Sequence, residues 1–244
     1  MNRLQIWLAR MFGARKLAPQ LAERLAAWRG LPEPDLAVEP RRWVVIDTET
    51  SGLDALRGKL IAIGAVTIEH GAIVVAPSFE AVLRQDSASA RENIELHGIG
   101  AAAQAQGEDP AEALMRFLEF ARKDPLIAWH ARFDAAFLRR ALKAHLGLRF
   151  GGEWLDLALL APLTCAESAR VRSSQSLDAW LARFDIDPGA RHTALADAYA
   201  TAQLFQIAAR RASRVAARGS RLRLCDLLLL AGEHAAHARS QMGP

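Results

Sequence analysis

The run Trp43-Val44-Val45-Ile46 breaks abruptly into Asp47-Thr48-Glu49-Thr50-Ser51-Gly52. Four apolar residues rich in β-branched side chains read as a buried strand. Side chains two apart on a strand share a face, so Asp47 and Glu49 project together from its end. Burying two carboxylates side by side is costly without a counter-charge. A hard divalent cation held by their oxygens removes that cost. Taken alone, the acid-x-acid pair also fits a solvated turn.

Two later segments carry residues that suit the same chemistry. Leu126-Ile127-Ala128-Trp129 is a short apolar strand that runs through His130-Ala131-Arg132-Phe133 into Asp134, in the first turn of a helix. His192-Thr193-Ala194-Leu195-Ala196-Asp197 opens a long Ala-rich helical stretch. Five helical positions turn through ~500°, which leaves His192 and Asp197 some ~140° apart if both are helical. They can serve one site only if His192 lies on the loop before the helix, a placement that Pro188-Gly189 just upstream permits. Each residue also has a plain reading. Asp134 suits a helix N-terminus, His192 a loop, and Asp197 a solvated helix face.

Taken in order, Asp47, Glu49, Asp134, His192 and Asp197 resemble the DEDDh branch of the DnaQ-like 3′–5′ exonucleases, which includes the proofreading subunit of bacterial replicative polymerases. The first motif of that family, Asp-x-Glu-Thr-x-Gly, is matched by Asp47–Gly52. The second ends in Phe-Asp, matched by Phe133-Asp134. The third is His, four residues, Asp, matched by His192 and Asp197. Lesser matches are Ile63-Gly64-Ala65-Val66, His97-Gly98-Ile99 and Ser176-Leu177-Asp178-Ala179. The resemblance covers about residues 41–210. The chain departs from the family at two places: Ala131 follows His130 where Asn is usual, and Ala62 stands where the second strand often carries Glu.

The resemblance implies a role for each residue. Two Mg²⁺ or Mn²⁺ ions would be held by Asp47, Glu49, Asp134 and Asp197, with Asp47 shared and Asp134 acting in part through water. His192 would be the general base, since an imidazole titrates near ~6.5 in the absence of neighbours. Thr48, Thr50, Leu53, His97 and Phe133 would lie near the substrate's terminal nucleotide. Core packing is the competing reading for Phe133 and Trp129. His130 would orient the second motif, and Asp156 would give structural support. The implied activity is release of nucleoside 5′-monophosphates from single-stranded DNA 3′ ends, in proofreading or repair. The alternatives are RNA 3′-end trimming and a non-catalytic nucleic-acid-binding module. The implied fold is ribonuclease H-like, α/β with a mixed five-stranded sheet and helices on both faces.

The element pattern accords with that fold. Strands are expected near 42–47, 59–68 and 72–84, then a helix over 110–122 with Asp109 as N-cap and Pro110 at N1. A strand at 125–129, a helix at 134–146, a strand near 153–156 and helices at 157–165, 176–184 and 193–210 follow. A helical extension with a linker at 31–40 (residues 1–40) and a helical extension over 211–244 flank this 41–210 domain. The core carries 19 Lys and Arg against 21 Asp and Glu, a net of −2, whereas residues 1–40 are at +2 and 211–244 at +4. A polyanion would therefore approach with help from bound metal and from basic ends or local arginine clusters. Leu4, Trp7, Leu8, Met11 and Phe12 in one extension, and Leu222, Leu224 and Leu227–Leu230 in the other, would pack on the core or bind a protein partner. No apolar run reaches the ~18–20 residues of a membrane span. The two cysteines, Cys165 and Cys225, show no metal-ligand spacing or disulfide framework, which points to a reducing cytoplasm.

Overall fold

The computed structural model describes residues 17–165, 176–187, 189, 192–215, 223–229 and 231. The expected helical positions from Leu4 to Phe12, and Leu222 and Leu230, lie outside the described residues.

The apolar run becomes β1 (Arg42–Thr50), the central strand of a five-stranded sheet of order β3-β2-β1-β4-β5. β2 (Leu60–Glu69) and β3 (Ala72–Val82) follow as an antiparallel meander. β4 (Leu126–Ala128) and β5 (Trp154–Asp156) add parallel strands on the other side. The C-terminal ends of β1, β4 and β5 therefore open at one end of the sheet.

Alternation along β1 splits the molecule into two cores. Val44 and Ile46 pack on one face; Trp43 and Val45 pack on the other. Both faces are covered, so the strand reads as a continuous apolar run rather than an alternating one. The first face is covered by α1 (Pro19–Arg29), α4 (Pro110–Ala121) and α5 (Ala131–Leu146), through side chains such as Leu25, Phe117 and Leu142. The second is covered by α6 (Leu157–Cys165), α7 (Leu177–Arg183) and α8 (Ala194–Val215), through Leu160, Trp180 and Phe205.

The caps explain several helix starts. The Asp109 carboxylate accepts from the backbone N–H groups of Ala111 and Glu112, with Pro110 at the first helical position. Ser176 accepts from Ala179 N at 3.3 Å, and Thr193 accepts from Ala196 N at 3.3 Å. α5 starts at Ala131, earlier than the expected 134. His130 takes a left-handed backbone (φ +57) and turns the chain out of β4. The 91–105 region, read from sequence as a connecting segment, forms α2 (Arg91–His97) and α3 (Ala101–Ala105). Gly98, at φ +70, separates them. Helices this short carry too few periods for an apolar pattern to show.

The described flanks dock on the core. On α1, Leu21, Leu25 and Trp28 are buried, and Arg24 forms a fork onto Glu119 (2.7 and 2.7 Å) and reaches Glu112 (2.6 Å). These ion pairs are half-exposed, so the buried apolar side chains carry more of the attachment. At the other end, Leu224 and Leu227 are buried in the second core and Leu228 packs against it, whereas Leu229 is 62% exposed. The leucine run thus packs on the core with one side turned out. Leu224 N and Cys225 N donate to the carbonyls of Val38 and Leu36, tying this segment to the linker before β1.

Truncating Leu227 to alanine should destabilise the chain by about 2–5 kcal/mol. That is a fall in melting temperature on the order of 5–15 °C for a chain of this size. Leu229→Ala should shift it by no more than about 2 °C. Thermal melts of the two variants check this, and equal shifts would contradict the docking described.

Candidate active site

The alternation that makes two cores also sorts the polar end of β1. Asp47 and Glu49 continue the Trp43–Val45 face, under α8. Thr48 continues the Val44–Ile46 face, under α5. Carboxylate oxygens of Asp47, Glu49 and Asp197 lie within 4.8 Å of one another. Asp47 and Glu49 are half-buried and Asp197 is buried.

A backbone approach brings Asp197 there. Gly64 on β2 is the cross-strand partner of Asp47. A Cβ on Gly64 would fall 2.1 Å from Leu195 N and 2.2 Å from the Ala194 carbonyl carbon. The first turn of α8 therefore rests directly on Gly64, and only a residue without a side chain permits it. Asp197 follows in that turn, its N–H bonded to Thr193 O at 3.0 Å. In the sequence Gly64 stands out only as part of the Ile63–Val66 match; its contact with α8 is a tertiary event with no local signal.

Asp134 lies outside that trio. It sits in the first turn of α5, is 2% exposed, and accepts from the Thr48 hydroxyl at 2.7 Å. Burial pushes its carboxyl well above the usual carboxylate range, the Thr48 bond pulls it back, and the Asp156 charge adds to the rise. Asp156, at the end of β5, is also raised by burial. Its carboxylate accepts from Ala158 N at 3.1 Å and interacts with the backbone N–H groups of His130 and Ala131. It thus supports the starts of α5 and α6 together.

His192 occupies the loop immediately before α8, exposed and at φ +65. The helical geometry that would have separated it from Asp197 does not apply. Pro188 and Arg191 lie outside the described residues.

The residues expected around a terminal nucleotide divide. Leu53 is 89% exposed, just beyond Gly52 at φ +150. Thr48 is 7% exposed and its hydroxyl is engaged with Asp134, so it positions a carboxylate instead of facing solvent. Thr50 donates to Gly52 O at 3.0 Å. His97 is 3% exposed rather than presented at the surface, and burial lowers its pKa. Its Nδ1 accepts from Ile99 N at 3.0 Å, which shapes the 97–99 turn. Phe133 is partly buried against the first core, its ring 4.8 Å from that of Phe137. Trp129 is buried in the second core.

Two supports of the first-motif loop escaped sequence reasoning. Arg140, on α5, donates to Ala55 O at 2.6 Å and to Gly58 O, which pins the 54–58 loop. Asn93, on α2, donates to Ser51 O at 2.9 Å. The two family departures fall at the site. Ala131 is buried at the head of α5, and Ala62 is the cross-strand partner of Glu49.

A family model described as Exonuclease, the RNase T family, matches residues 44–205. A PolC-type DNA polymerase III from Thermotoga petrophila is 33% identical over 171 residues, which is 70% of this chain and 12% of that polymerase. A DNA polymerase III subunit epsilon-like protein from Rhodobacter capsulatus is 36% identical over 166 residues, 67% of this chain and 23% of that protein. The chain thus spans a minor part of the curated relatives it matches. Among solved structures, E. coli Exonuclease I in complex with a dA16 oligonucleotide superposes with a TM-score of 0.60 at 17% identity, covering 71% of this chain and 42% of that one. Exonuclease X in complex with 5′ overhanging duplex DNA gives 0.57 at 22% identity, covering 76% of this chain and 98% of that one. These superpositions show the ribonuclease H-like fold. With its motifs, its sheet order and the match over 44–205, the chain belongs to the RNase T exonuclease family, a DnaQ-like group.

Proposed function

We propose that this chain is a divalent-metal-dependent 3′–5′ exonuclease. It releases nucleoside 5′-monophosphates from single-stranded DNA ends, in proofreading or repair, and residues 41–210 carry the activity. The observation that supports this most is the convergence of Asp47, Glu49 and Asp197 within 4.8 Å at the open end of the sheet. An inert binding module has no use for three carboxylates packed so closely. The donors are all oxygen, which fits Mg²⁺ or Mn²⁺ better than softer ions. DNA is preferred over RNA because the relatives are DNA polymerase polypeptides. A protein partner fits their organisation too, and the terminal segments would reach it.

Asp47, Glu49 and Asp197 would hold one ion, with Asp47 shared and Asp134 serving a second, partly through water. Two divalent cations, when bound, make the attacking water more acidic and offset charge on the phosphate. His192 would take the proton from that water, and its exposed place on the pre-helical loop leaves the imidazole open to it. Thr48 holds Asp134 in position. Leu53 would meet the terminal base.

The direct test is digestion of matched single-stranded DNA and RNA oligomers, each 5′-labelled, with Mg²⁺, Mn²⁺ or EDTA. DNA should shorten from the 3′ end only with metal, and Asp47→Ala should abolish the reaction. A wild-type rate in that variant would remove the site assignment, and faster loss of the RNA would move the substrate to RNA.

His192→Ala separates the base from the metal ligands. Turnover should fall about 10²–10⁴-fold, the range for loss of a general base. A protonated imidazole cannot accept a proton, so the wild-type rate should drop on the acid side, and that limb should vanish in the variant. Binding of Mn²⁺ should survive. Matching pH–rate profiles, or lost metal binding, would exclude this role for His192.

A further inference from the structure

At the opposite end of the sheet from the carboxylates lies a large concavity, about 1220 Å³. β1 begins there: Arg42 lines the cleft, and Asp47 lies five residues further on, about 17 Å along an extended strand. Its volume exceeds the ~300–1,000 Å³ typical of small-molecule pockets.

Five arginines from separate parts of the chain meet in this cleft: Arg41, Arg42, Arg122, Arg210 and Arg223. Three carboxylates share the lining, Asp35, Glu39 and Asp124, so its net charge is +2, against −2 for residues 41–210 as a whole. Two of the arginines are committed. Arg42 is held by Glu69, Asp124 and the Phe120 carbonyl, and Arg223 by Asp226. Arg41, Arg122 and Arg210 are exposed and form no ion pair with a carboxylate among the described residues. They come from the residue before β1, the end of α4 and α8. The lining also includes Trp43 and Phe205, whose rings lie 5.3 Å apart.

We infer that this cleft is a second nucleic-acid site, in which Arg41, Arg122 and Arg210 hold phosphates of the strand whose 3′ end is being degraded. The inference rests on the exonuclease reading. Guanidinium forks match phosphate oxygens and stay charged at any working pH. A polymer suits a cleft too large for one nucleotide, and a family that acts on nucleic-acid ends supplies one. The site is remote from the carboxylates, which makes it selective for length. At about 3.4 Å per stacked nucleotide, a span of at least ~17 Å corresponds to about five stacked nucleotides. Oligomers of three cannot engage both ends of the sheet, whereas oligomers of twenty can.

The test uses the full chain carrying Arg41→Gln, Arg122→Gln and Arg210→Gln together, on dT3 and dT20 with Mn²⁺. For dT20, kcat/KM should fall at least tenfold, mainly through KM. Its log–log salt slope should become shallower by about two, near ~0.7 for each lost single-strand phosphate contact. For dT3, kcat/KM should stay within twofold of wild type. An unchanged dT20 rate overturns the cleft, and so does an equal fall on both lengths, which marks damage at the carboxylates. Should the wild type degrade neither oligomer, the exonuclease reading fails by itself. Anisotropy of labelled dT20 in EDTA then decides the cleft: weaker binding by the triple variant upholds it, and equal binding overturns it.

Discussion

Three carboxylate groups crowded within 4.8 Å at the mouth of a buried strand impose the constraint on which the rest of the site depends. Like charges at that spacing repel, and partial burial strengthens the repulsion. Such a cluster persists in a fold only where the surrounding structure fixes it against that repulsion. The backbone part is visible. Asp47 and Glu49 are set by the two-residue period of β1, and Asp197 by the first turn of α8 lying on Gly64. A methyl group at position 64 would strike the α8 backbone, which cannot yield as a flexible side chain does.

The same strand organises the opposite face. Thr48 sits between the two acids in sequence but points the other way, into the α5 side, where its hydroxyl holds Asp134. β1 therefore reaches both layers of helix at once, and the four acids divide three and one between its faces. Asp156 extends this order to β5, by receiving the backbone N–H groups that open α5 and α6.

Much of this was legible in the sequence, for physical reasons. The abrupt change from Trp43–Ile46 to Asp47–Glu49 marks a strand end, and Asp109-Pro110 and Ser176 mark helix starts because capping is local chemistry. The spacing of His192 and Asp197 allows them to share a site only with His192 on a pre-helical loop, and the His192 backbone, at φ +65, lies on such a loop. What escaped depends on contacts between distant segments. The early start of α5 depends on the left-handed turn at His130. Burial of His97, the seat of α8 on Gly64 and the Arg140 grip on the 54–58 loop likewise leave no periodic trace.

The central proposal is that Asp47, Glu49 and Asp197 together hold a divalent cation. Melting of wild type and Asp47→Asn, each in EDTA and in excess Mn²⁺, tests this most directly. The rise that Mn²⁺ gives wild type should be largely lost in the variant, because ligand binding stabilises only the state that binds it. A variant that still gains the full rise with Mn²⁺ would contradict that proposal.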